Sequence, residues 1–220
     1  MGTLLAATQV QFAVSKFIPL AVGFFGLGTG YLIYGPQELF KFPRRSRAVD
    51  LSTGVWGIWM PGFMQFLAGT YIWVALIWLD SVREAPMYMA ALAFTAYGVH
   101  WWAIGLGRAF GADPRPNGFM ALAFTMISAL GIVVFFKASD APVAGLFIGL
   151  TCIYVSDMFA SLGFRERQSP AEPVPVREPT RIGMLGERSL GFFHLGTGLW
   201  LMYLMWAAAL NASNGMHLLI

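Results

Sequence analysis

GFMALAFTMISALGIVVFF, residues 118–136, runs for nineteen residues without one charged side chain. A bilayer's hydrocarbon core is about 30 Å thick and takes a helix of about 20 apolar residues, with every backbone polar group bonded internally. Working outward, five further apolar runs cover 17–34, 54–79, 86–107, 141–164 and 190–210. The pattern predicts an all-α polytopic membrane protein, a six-transmembrane-helix bundle. Composition agrees: 57% of the 220 residues are hydrophobic and 11% charged, too few charges to coat a soluble domain of that length.

The expected organisation is linear. Residues 1–16 form an N-terminal interfacial segment, 17–164 carry helices one to five, 165–189 form a loop, and 190–220 hold the sixth helix and a tail. The loop, RERQSPAEPVPVREPTRIGMLGERS, reads as extended and solvated because its prolines favour polyproline geometry; it also offers a docking segment for other membrane-complex subunits. No repeat of roughly 20–50 residues is evident.

The net charge of +3 does not point to nucleic acid, because the cations flank apolar spans instead of forming a basic face. Eleven of the fourteen Lys and Arg residues fall on one side of the six-span arrangement and three on the other. The positive-inside rule then places both termini outside the cytoplasm, with the chain multi-pass in the cytoplasmic (inner) membrane. No basic stretch precedes the first apolar run, so no cleaved signal peptide is expected. The single cysteine, Cys152, lies within a span and forms no intrachain disulfide. Trp56, Trp59, Trp73 and Trp78 fit interfacial belts, whereas Trp101 and Trp102 sit deep beside His100.

Polar residues inside hydrocarbon face a bundle interior or a water-filled path. His100, Asp157 and His194 are the ionisable ones, with Gln65, Thr95, Thr151 and Thr197 as uncharged hydrogen-bonding groups. Two readings stand for Asp157 and His194: proton coupling or gating, or an ion pair between them or to an arginine that ties two helices together. No tight His/Met spacing suggests a metal. No nucleophile–base signature, phosphate-binding loop, dinucleotide fingerprint or haem motif is present, so neither an enzyme nor a cofactor is expected.

Four segments are similar to the YaaH-type acetate/succinate uptake family. IPLAVGFFGLGTG (18–30) resembles its NPAPLGLxGFxLTT opening and MQFLAGTYIW (64–73) its AQLLAGMWE. ALAFTAYGVHWWAIG (91–105) resembles AFTSYGxFW, and GFFHLGTGLWLMYLMWAAALN (191–211) the last span. The resemblance implies a homo-hexamer of six-helix protomers, each with a narrow path for a small carboxylate. It also implies a constriction of Phe25, Tyr97 and Leu150, with Thr95 and Gln65 beside it. A solute that sheds water there needs replacement hydrogen bonds, expected from Thr95, Gln65, Thr197 and the Tyr97 hydroxyl, and an anion would be helped by protonated His100 or His194. Lys16, Phe17 and Ile72 replace the family's asparagine, first proline and glutamate. RAFGADPRPNGFMALAF (108–124) resembles instead a segment of AmiS/UreI-type urea and amide channels, which share the hexameric architecture. The solute is therefore acetate or succinate, or alternatively urea or a short amide. A third expectation is a bracing subunit of a larger membrane complex without transport of its own.

Overall fold

The computed structural model describes residues 19–167, 176–215 and 217–219; the interfacial segment expected at 1–16 lies outside them. The helices are α1 (Leu20–Phe40), α2 (Arg47–Gly57), a π-helical turn (Ile58–Phe63), α3 (Met64–Ile77), α4 (Ala85–Phe110), α5 (Arg115–Lys137), α6 (Ala141–Leu162) and α7 (Arg181–Asn214). The π turn joins α2 and α3 into one rod, Arg47–Ile77, so six rods run alternately up and down. Five of them are long and apolar enough to cross a membrane. The sixth, α1, spans about 31 Å at helical rise. Its glycines and its Gln37-Glu38 pair lower its apolarity, and it packs chiefly against α7, with α3 and the π turn on another side.

Local chemistry explains the helix ends. The hydroxyls of Ser46 and Thr180 and the carboxylate of Asp140 accept from Val49, Gly183 and Val143 backbone N–H groups at 3.3, 3.1 and 3.0 Å. These satisfy donors that the first helical turn leaves open. Pro86, Pro116 and Pro142 occupy first-turn positions, where proline's missing N–H costs nothing. Gly111 closes α4 at φ 68°, a left-handed conformation suited to glycine.

The glycines of FGLGTG are interface residues. A Cβ at Gly26 would stand 2.5 Å from the Met60 carbonyl oxygen in the π turn, and one at Gly28 would stand 2.7 Å from Met202 Cε of α7. Small residues thus let α1 approach two neighbours closely, which is how helices gain dispersion contact in lipid. The outer face is apolar, with Phe119, Met126 and Leu199 exposed, as hydrocarbon requires.

Two expected boundaries are corrected. The first span does not end at 34 but continues to Phe40, and α7 starts at Arg181, not 190. The loop expected at 165–189 is therefore shorter. Its flanks pair as an antiparallel hairpin, β1 (Phe164–Arg167) with β2 (Val176–Pro179), in the register Phe164 to Pro179 and Arg165 to Glu178. Charge marks where a helix leaves hydrocarbon, not where it stops. Gly183 and Gly186 press against Gly163 and against Phe159–Ala160, which holds the first turns of α7 in place beyond the apolar stretch.

The rods give the bundle two ends. One carries the start of α1, the 78–84 and 138–140 links and the end of α7. The other carries the 41–46 and 111–114 links and the hairpin.

Candidate functional site

A cavity of about 340 Å³ enters from the end opposite the hairpin and reaches the middle of the bundle. Its walls are mostly apolar, including Phe24, Phe94, Val143 and Phe147, with Asp140 and Asn211 as polar lining residues. Near mid-bundle it closes on Leu27, Gln65, Tyr97, Leu150 and Leu201. All five are fully buried or nearly so. In the 78–84 link Arg83 donates from Nε to Asp80 at 2.7 Å. The carboxylate raises the pKa of that guanidinium further, so it stays charged in solvent.

The closed end of the cavity has a definite hydrogen-bonding sense. Ser128 Oγ donates to the Phe124 carbonyl at 2.7 Å, which uses its one proton. The 2.9 Å contact between Tyr97 Oη and Ser128 Oγ therefore has the tyrosine as donor, leaving its lone pairs open. Gln65 presents a buried amide oxygen with no partner among the described residues. The closure therefore offers the Tyr97 lone pairs and the Gln65 amide, whose Nε2 also carries donors, and no cation lines the cavity among the described residues.

Beyond Tyr97 the bundle is aromatic and polar. Tyr97 stacks on Tyr154 at 5.6 Å, and His100 Nδ1 lies 3.3 Å from Tyr154 Oη while stacking on Phe124 at 4.5 Å. His100 Nε2 and Tyr31 Oη are buried without hydrogen-bond partners among the described residues. Tyr31 stacks on His194 at 4.5 Å, and His194 Nδ1 meets Glu38 Oε2 at 2.5 Å. Arg108 follows, donating to Gln37 Oε1 at 2.6 Å and lying 4.5 Å over the Tyr34 ring. An ion pair between Lys41 and Glu187 ties the end of α1 to α7.

The site residues named from sequence therefore separate. Gln65, Tyr97 and Leu150 meet where the cavity closes. Phe25 does not: it is 39% exposed on the outer face of α1, and Phe24 takes the inner position, 5.8 Å from Phe94. Successive helical residues point about 100° apart, so placing a motif one residue off turns its side chain away from the bundle. Thr95 lies at the α3–α4 contact, donating to the Ala91 carbonyl at 2.8 Å and accepting from Trp73 Nε1 at 3.2 Å. Thr197 packs against Gly149. His100 is deeper than the cavity. Asp157 accepts from Ser161 Oγ at 2.8 Å, not from the His194 or arginine partner that one of its two readings gave it.

Glu38 is the residue that sequence reading missed. It replaces Asp157 as the partner of His194, and its carboxylate is buried inside the extended α1. The resumption of apolar Leu39-Phe40 after Gln37-Glu38 was the available sign that the helix continues. Leu27 and Leu201 carried no sign, being apolar residues in apolar spans. Of the deep tryptophans, Trp101 is buried edge-on against Tyr34 at 5.0 Å, and Trp102 packs on Phe66 at 4.8 Å.

Taken together, six rods around a blind cavity that stops at mid-bundle define the class: an all-α membrane bundle. The solved structure titled "Structure of the bacterial acetate channel SatP" shares this fold, with a TM-score of 0.66 over 93% of this chain and 98% of that one. Sequence identity is 16%. SatP belongs to the YaaH family, so the fold expected from the four similar segments is the fold observed. No protein-family profile and no curated protein matches this sequence.

Proposed function

We propose that the protein is a channel for a short carboxylic acid, acetate in preference to succinate, which enters the cavity and crosses the closure in its protonated form. The observation that carries this reading is the pairing of an unpartnered Gln65 amide oxygen with the open lone pairs of Tyr97 at the end of an apolar cavity. A carboxylate arriving there would lose water and meet no cation among the described residues, only the Gln65 amide and the Tyr97 hydroxyl, at a desolvation cost far above that of a neutral group. A carboxylic acid brings its own O–H donor, and its methyl group suits Leu27, Leu150 and Leu201. The same acceptors favour an amide N–H, which supports urea or a short amide as the second reading. The cation count supports both termini outside the cytoplasm, which would turn the cavity outward. Assembly as a homo-hexamer follows from the family resemblance and is part of the proposal.

Flux into proteoliposomes tests it, comparing acetate, succinate, acetamide and urea against protein-free vesicles. Protein-dependent acetate entry that exceeds succinate entry is expected. Entry of acetamide or urea with no acetate entry would transfer the assignment to the second reading. No flux of any of the four, with persistent co-purification of other subunits, would favour the bracing role instead.

A further inference from the structure

At the hairpin end, Arg108 is a buried cation most of whose N–H groups have no hydrogen-bond partner among the described residues. Its side chain is 14% exposed, and its guanidinium carries five N–H groups. One of these donates to Gln37 Oε1 at 2.6 Å. The neighbouring carboxylates stand off: Asp50 Oδ1 is 3.6 Å away and Glu38 Oε1 3.8 Å, both beyond hydrogen-bond distance. Each has its own partner, Asp50 in Arg45 at 3.0 and 3.3 Å and Glu38 in His194. Beside Arg108, Gln37 is 2% exposed and its Nε2 has no partner among the described residues.

A purely structural clamp would bring a carboxylate onto the guanidinium at about 2.7–2.9 Å, in two parallel bonds. Here the guanidinium donates to a neutral amide and lies over an aromatic face, with Asp50 and Glu38 at ion-pair distance only. Its remaining donors and the Gln37 amide N–H group have no partner among the described residues. Planar, adjacent donors of this kind suit a carboxylate. Asp50 and Arg45, at 21% and 57% side-chain exposure, connect the spot to the aqueous face.

We infer that Arg108 and Gln37 form a carboxylate-binding site at the hairpin end. One solute oxygen would take an Arg108 N–H and the other Gln37 Nε2. The inference rests on the channel reading for its ligand: the acid crosses the closure protonated, gives its proton to water at the hairpin end, and is held there as the anion where donors wait.

Purified protein with isotope-labelled arginine reports on this directly. The Arg108 side-chain N–H resonance, assigned by its loss in Arg108→Lys, is followed during titration with sodium acetate and, separately, acetamide. Acetate is expected to shift it saturably and acetamide to leave it in place. Gln37→Met removes the second donor and should weaken acetate binding roughly tenfold or more, the scale of one hydrogen bond to a charged group. An unshifted resonance, an equal response to acetamide, or unchanged affinity in Gln37→Met would overturn the site. Acetate flux without a saturable shift would sink this site alone; a saturable shift without flux would sink the channel reading and leave the site standing.

Discussion

Replacing Gln65 with methionine should separate what this side chain does for the fold from what it does for a solute. Methionine keeps the length and flexibility of glutamine but has no amide. In the folded protein the Gln65 amide oxygen is buried and unpaired among the described residues, and such a group costs about 1–3 kcal/mol. Its removal relieves that cost, so Gln65→Met should be as stable as the native protein or more so. For a chain of this length 1 kcal/mol corresponds to about 2–4 °C in Tm. Transport should move the other way. Loss of one acceptor at the closure raises the barrier by about 1–3 kcal/mol, and each 1.36 kcal/mol is tenfold in rate, so acetate flux should fall by about 5- to 150-fold. The assay pairs thermal unfolding in detergent with radiolabelled acetate uptake into proteoliposomes at matched protein density. A variant that loses more than about 1 kcal/mol of stability while its uptake stays native would show that Gln65 is a packing residue, and the proposed role would fall.

Three further outcomes follow from the geometry. Phe24→Ala should widen the cavity and raise entry of solutes larger than acetate, whereas Phe25→Ala, on the outer face, should leave size selectivity unchanged; a reversed result in the uptake assay would restore the sequence-based register. Tyr97→Phe should cost only about 0.5–1.5 kcal/mol, because Ser128 keeps its bond to Phe124, yet should slow acetate entry; unaltered uptake would remove the hydroxyl from the path. His194→Leu strips Glu38 of its 2.5 Å partner and leaves Arg108 at 3.8 Å as the nearest ion pair, so thermal unfolding should register a loss of about 3–5 kcal/mol. His194→Gln, which retains a hydrogen bond, should lose less.

The number of rods, their order and the lipid-facing character of stretches such as 118–136 were legible in the sequence, because hydrocarbon imposes a length and excludes charge whatever surrounds a segment. Gln65, Tyr97 and Leu150 were legible too, through motif resemblance and, for Gln65, the cost of a polar group in an apolar span. Tertiary packing alone decided the rest. It set α1 so that Phe24, not Phe25, faces inward, a rotation that its opening stretch Leu20–Leu27, apolar or glycine on every side, does not encode in its own pattern. It also carried α1 past Pro36 and buried Glu38 against His194, one partner from the first rod and one from the last. Contacts between residues so far apart in the chain follow from how glycine-lined helices nest, and that nesting is a property of the assembled bundle.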